Sequence, residues 1–246
     1  MDRALFIAMT GASQTRQALG VTTNNLANVS TAGFRAELAA AGSAPVAGAG
    51  WATRVNAAGS AGGFDARAGG VVNTGRALDI ALRGDGWLAV QADDGTVGYT
   101  RSGNLQVNAL GQLATAAGHP VLGDGGPVAV PPHDDLAIGD DGTVSIVPTG
   151  AGPDTRAAVA RLQVIAAGPE TLMRGAEGLF RPREGEAALP MAGDSVIPGA
   201  LEQSNVNATE ALVSMIEQSR KFEMQVRMMR TLENNAEAGA RLLRQT

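Results

Sequence analysis

The feature that most limits how this chain folds is the apolar repeat in residues 206–244. Leu212, Met215, Ser219, Phe222, Val226, Met229, Glu233, Ala236, Ala240 and Leu243 follow one another in steps of three and four. That spacing lays a heptad stripe along one side of an α-helix. Glu217–Lys221 and Glu223–Arg227 stand four apart and add favourable surface pairs. At ~1.5 Å per residue the helix would be on the order of 55 Å long. A stripe of that length needs a partner, and the only other helical pattern lies at the opposite end of the chain.

In that first segment Leu5, Ala12, Leu19 and Leu26 fall seven apart, with Ala8/Met9, Thr15/Arg16 and Thr22/Thr23 between them. Residues 4–28 therefore read as a helix, but a weak one. Gly11 and Gly20 each cost about 1 kcal/mol relative to Ala. Val21, Thr22, Thr23, Asn24 and Asn25 lose rotamer freedom or compete with the backbone. Support must come from outside the segment. Gly33 is the expected left-handed stop. The polar run around Asn24, Asn25 and Asn28 is either a frayed helix end or a polar layer in a helix–helix seam, where buried Asn fixes register. The expected seam takes Leu5, Met9, Ala12, Leu19, Asn24, Asn25, Leu26 and Asn28 from the first helix. From the last it takes Met215, Phe222, Val226 and Met229.

Between the helices the texture is different. Residues 38–70 are dominated by Ala, Gly, Ser and Pro. They read as a linker or as an extended segment pinned at Trp51 and Phe64. From Val71 to Gly199, short apolar runs such as 78–82, 87–90, 97–100 and 143–147 alternate with Gly/Asp turns. That pattern predicts an antiparallel β domain. The fold class is thus α+β: N- and C-terminal helices pairing as a coiled-coil-like stalk, with a central antiparallel all-β domain. The expected divisions are 1–37 (helical), 38–76 (linker or extended), 77–200 (β) and 201–246 (long helix).

Composition narrows the function classes. The chain has 33 glycines, no cysteine, 3% aromatic residues and a net charge of −5. Small residues suit close backbone approach, and the mild negative charge argues against a nucleic-acid groove. Without cysteine there is no disulfide or thiolate-metal framework. The apolar run in residues 4–9 is short for a signal h-region, so any export is expected to proceed without a cleaved signal peptide. His119 and His133 lack a partner at metal-ligand spacing. The pairs Asp93–Asp94 and Asp140–Asp141 each precede Gly-Thr-Val, which is turn chemistry. Met215, Met224, Met228 and Met229 read as packing residues. No cofactor, metal or small-molecule substrate is expected, and no enzyme.

Three motifs carry a resemblance. The run Thr10-Gly11-Ala12, then Asn24-Asn25-Leu26-Ala27-Asn28-Val29-Ser30-Thr31-Ala32-Gly33-Phe34-Arg35, is similar to the N-terminal signature of the bacterial flagellar rod and hook protein family. Gly84-Asp85-Gly86-Trp87 with Tyr99-Thr100-Arg101-Ser102-Gly103-Asn104 resembles that family's β-domain motif. Gly199-Ala200-Leu201-Glu202-Gln203-Ser204-Asn205-Val206 resembles its C-terminal signature. Together they cover essentially the whole chain, and within the family it looks most like the proximal rod type, with the distal rod type as the competitor. The resemblance implies a structural subunit of the basal-body rod, polymerising through its terminal helices into the shaft that carries torque from rotor to hook. It implies other rod subunits and its own copies as partners. It also implies the flagellar type III export apparatus during secretion, and a place in the rod where it crosses the periplasm. The reading from a different class is a secreted β-domain module that binds peptidoglycan, with the helices as a stalk.

Overall fold

The computed structural model describes residues 2–46, 55–60, 62–152, 155–175, 177–186, 189–191 and 193–243; Trp51 lies outside them. The chain forms two compact units, neither continuous in sequence. One gathers Met1–Ala27, Glu37–Gly63 and Val206–Thr246; the other gathers Asn28–Ala36 and Phe64–Asn205. The class is α+β, with a helix at each end and a mainly β region between them.

The first unit holds α1 (Asp2–Ala27), α2 (Ala208–Leu243), and strands β1 (Ala40–Pro45) and β2 (Val55–Ser60). In α1 the threonines that weaken its propensity turn their hydroxyls back onto the helix. Thr15 Oγ1 donates to the Gly11 carbonyl (3.0 Å) and Thr23 Oγ1 to the Leu19 carbonyl (2.8 Å). Asn207 caps α2, its Oδ1 accepting the N–H groups of Thr209 (3.0 Å) and Glu210 (3.3 Å). Glu210 in the first turn and Arg241 in the last suit the helix dipole. The two helices lie side by side, and Gly11 is the close point. A Cβ there would stand 3.3 Å from Gln225 Nε2. The segment read as linker or extended carries a hairpin, with Ala40 opposite Ser60 and Pro45 opposite Val55. It packs on α1: the Ala57 N–H donates to Thr10 Oγ1 (3.3 Å), and Gly59 sits against Gln17.

In the second unit, strands β3 (Val71–Asn73), β4 (Ile80–Leu82), β5 (Gly86–Gln91) and β6 (Val97–Thr100) are followed by short strands out to Glu202. The largest sheet has six antiparallel strands, with β5 and β6 at its centre and Phe180 opposite Tyr99. A three-stranded meander of His133–Ile138, Thr143–Pro148 and Ala157–Arg161 adds a second layer. Ile80, Leu88, Val90, Leu105, Leu113, Val121, Val144 and Val196 fill the main core. A smaller cluster joins Phe64, Trp87, Tyr99, Leu172 and Phe180. Trp87 and Phe180 lie 4.6 Å apart between ring centres, and Trp87 Nε1 donates to the Ala167 carbonyl (3.0 Å). Few aromatics build this core, but those present meet one another.

The paired acids close their own turns. Asp141 Oδ2 accepts the Thr143 hydroxyl (2.7 Å) and its Oδ1 the Thr143 N–H (3.0 Å). Asp94 holds Thr96 in the same way and also meets Arg181. The threonine hydroxyl, before any other group, holds each carboxyl below the usual aspartate range. A depressed folded value stabilises the fold above the unfolded value of 3.8, and that contribution is lost as pH falls through the folded values. Melting temperature should therefore fall between pH 4 and pH 2, and the fall should shrink when Asp94 and Asp141 are both replaced by Ala. An unchanged fall would mean that these turns carry no acid sensitivity.

Candidate functional site

The three sequence motifs meet at one buried charge cluster in the β unit. Glu202 ends the strand Ala200–Glu202, which pairs antiparallel with β3, Glu202 opposite Val71. The residue is 2% exposed, and its carboxylate lies between two buried arginines. Arg35 Nη1 stands 2.5 Å from Oε1, and Arg101 Nε donates to Oε2 at 2.8 Å. The Gly69 N–H also donates to Oε1 (2.9 Å). Two cations flank one anion, so the cluster carries excess positive charge, which Arg101 hands on to backbone. Its Nη1 donates to the carbonyls of Gly84 (2.9 Å) and Gly86 (2.7 Å), and its Nη2 to that of Leu82 (3.0 Å). The turn Gly84-Asp85-Gly86 thus aims its carbonyls inward. Burial holds the Arg35 guanidinium below the ordinary arginine range; Glu202 opposes that effect and Arg101 adds to it.

Backbone closes the rest of the junction. Gly33 has φ +69°, the left-handed stop expected from sequence, and its N–H donates to the Glu202 carbonyl (2.8 Å). A Cβ on Gly33 would fall 2.2 Å from the Arg101 carbonyl oxygen, and one on Gly103 would fall 1.7 Å from that of Ile80. Phe34 is buried beneath the Arg174 guanidinium, 4.7 Å from its ring centre. Arg101 lies 5.7 Å from the Trp87 ring. Asn205 Oδ1 accepts the Ala36 N–H (2.8 Å), while its Nδ2 donates to the carbonyls of Asp65 (3.0 Å) and Arg67 (2.9 Å). The segment that follows α1 and the segment that precedes α2 are both bound here. With its carboxylate occupied by two arginines, the cluster is suited to holding chain in place rather than to proton transfer.

Of the motif residues, Gly33, Gly84, Gly86 and Trp87 meet Arg101 or Glu202 directly, while Phe34 lies under Arg174, Gly103 against the Ile80 carbonyl and Tyr99 in the aromatic cluster. Sequence reasoning missed the three charged members of the junction, Arg35, Arg101 and Glu202, and the amide of Asn205. The available signal was the charge that each of the three motifs carries, Arg35, Arg101 and Glu202, although the β-domain motif holds Asp85 as well.

In the helical unit, Ala12 is buried and Leu19, Leu26, Met215, Phe222, Val226 and Met229 are half-buried. Leu5 and Met9 are exposed, at 38% and 52%. The stripe on α2 is rotated from the one read in sequence. Leu212, Ser219, Glu233 and Ala240 face outward, while Ala211, Gln218, Gln225 and Leu232 take the covered positions. A fixed heptad template drifts by about 20° per seven residues on a straight helix, and a purely apolar template passes over glutamine. Met215 and Met229 are covered, but Met224 and Met228 are exposed rather than packed. Asn25 is committed to the returning chain. Its Nδ2 donates to the Glu37 carbonyl (2.9 Å) and its Oδ1 accepts the Glu37 N–H (2.8 Å). Asn24 is exposed. In the β unit, Asn28 Oδ1 accepts the Thr31 hydroxyl (3.1 Å), shaping the turn before Gly33.

Comparison with known proteins matches the same three segments. Residues 5–35 match the family model described as flagella basal body rod protein. Residues 81–146 match the flagellar hook protein FlgE/F/G D1 domain, and residues 197–242 the flagellar basal body rod FlgEFG protein C-terminal model. The flagellar basal-body rod protein FlgF of Salmonella typhimurium is 44% identical over 99% of both chains. This chain belongs to the flagellar basal-body rod protein family. Within that family the FlgF of Escherichia coli K12 is 43% identical over 99% of both chains. The rod protein FlgG of Bacillus subtilis is 31% identical over 94% of this chain and 95% of its own. The rod subunit is thus of the FlgF type and belongs to the flagellar basal body. Each matched segment supplies one member of the ionic triad: Arg35, Arg101 and Glu202.

Proposed function

We propose that this rod subunit polymerises through its terminal helices, which pair as a coiled-coil-like stalk and line the inside of the rod. Its partners are its own copies and neighbouring proximal and distal rod proteins. The observation that carries this reading is the apolar surface left on both helices. Phe6 is 60% exposed, Met9 52%, Ile216 55%, Met224 62% and Met228 57%. So much apolar surface on slender helices marks a protein–protein contact. The identities of 44% and 43% to the Salmonella and Escherichia coli FlgF, against 31% to the Bacillus subtilis FlgG, favour a proximal over a distal position. The role is structural and non-enzymatic: torque from the rotor passes along the packed helices toward the hook. The chain would reach the periplasm through the type III export apparatus.

Val226 is half-buried on the covered side of α2. Val226→Asp places a charge in that contact, and charge burial without a partner is prohibitive. The variant should abolish swimming in a strain lacking the native chain, while near-ultraviolet circular dichroism of the β unit stays unchanged. Normal swimming would remove the seam from the account.

A further inference from the structure

The helical unit contains a cavity of about 450 Å³ lined by residues of α1, α2, the stretch Leu38–Ala41, Ala57 and Gly62. Four glutamines line it: Gln14 and Gln17 from α1, and Gln218 and Gln225 from α2. Three of them have one amide atom sealed from water without a hydrogen-bond partner, namely Gln14 Nε2, Gln218 Oε1 and Gln225 Oε1. Buried amides left unpaired are costly, so three in one place call for an occupant. The terminal torsion of glutamine is soft, and each amide can swing from the wall toward the cavity at small cost. One donor and two acceptors are complementary to a single carboxamide, whose oxygen accepts one bond and whose NH₂ donates two. The match survives reversal of either Gln218 or Gln225, because the entering oxygen then accepts a second bond in place of one its NH₂ would donate.

We propose that this cavity receives the side-chain amide of an asparagine or glutamine from a terminal helix of a neighbouring rod subunit. The inference rests on the assembly reading above and adds a register-setting contact to it. The unpaired glutamines penalise the free subunit, and the incoming amide removes the penalty. A single polar contact of this kind selects one axial alignment among the several that apolar stripes alone permit. Lys221, the only lysine in the chain, stands on the same cavity wall and is exposed. It reports on the cavity through amine chemistry without any substitution.

The test uses the full chain with Gln218 and Gln225 both changed to Leu, beside the native chain. The free double variant should melt at the same temperature as the native chain or higher, because unpaired amides are gone. It should be recovered in purified basal bodies at least tenfold less. Acetylation of Lys221 by an N-hydroxysuccinimide ester, read by mass spectrometry, should be several-fold lower in native basal bodies than in the free chain. A variant that melts several degrees lower would make the glutamines intrachain supports and overturn the proposal. Equal recovery of the variant in basal bodies would also overturn it, as would equal acetylation of Lys221 in both states. Absence of the native chain from basal bodies would instead refute the assembly reading itself.

Discussion

Glu202→Ala is expected to destabilise the β unit by about 3–5 kcal/mol, because it leaves two buried arginines without their anion. Arg35 and Arg101 are 2% and 3% exposed, so neither reaches water without opening the junction. The Gly69 N–H loses its acceptor as well. Against a typical total of about 5–15 kcal/mol this is a large share. At ~2–4 °C per kcal/mol for a chain of this size, the melting temperature should drop by about 6–20 °C. Glu202→Gln tests the cause. It keeps both oxygen- and nitrogen-sized positions filled but removes the charge, so it should still lose more than 1 kcal/mol if the ion pairs matter. Differential scanning calorimetry of the three chains separates the outcomes. A Glu202→Ala loss below about 1 kcal/mol, the range of exposed pairs, would mean that the cluster is ornamental to the fold.

Gly33→Ala should be far more damaging than Gly75→Ala, although each adds the same methyl group. Both glycines have φ +69°. The left-handed conformation costs an L-residue about 1–2 kcal/mol at either place. Nothing lies within 4 Å of a Cβ on Gly75, so that variant measures the conformational cost alone. A Cβ on Gly33 lies 2.2 Å from the Arg101 carbonyl oxygen and 2.7 Å from the Ser102 nitrogen, both backbone atoms that cannot swing aside. The clash displaces the strand end that positions Arg101 against Glu202. The expected loss exceeds that of Gly75→Ala by about 2 kcal/mol or more, on the scale of overpacking a tight core. Equal unfolding free energies for the two variants in urea would show that the junction yields at no cost.

Much of the architecture was legible because it rests on local chemistry. Gly33 as a left-handed stop, the Asp94 and Asp141 turns and the two terminal helices each follow from a few neighbouring residues. The hairpin of β1 and β2 was not legible. Strands such as Ala40-Ala41-Gly42-Ser43-Ala44-Pro45 carry no apolar–polar alternation, and β1 is exposed along its whole length. Pairing there comes from backbone and from α1 beneath. The ionic triad was hidden for another reason: Arg101 and Glu202 are separated by 101 residues, and nothing in either local run names the other. The motifs marked the positions without revealing that they converge. The phase of α2 was misread because Gln218 and Gln225 count as polar in any pattern, although the fold places them on the covered side.

The central claim is that the chain builds the rod through its terminal helices. An electron cryomicroscopy map of intact basal bodies, with this chain placed in density, tests it most directly. In that map α1 and α2 of successive subunits should pack side by side along the inner wall of the rod, with Met224 and Met228 covered by neighbours and the β unit outward. A map in which the β units make the continuous contacts while both helices stand free of neighbouring subunits would contradict it.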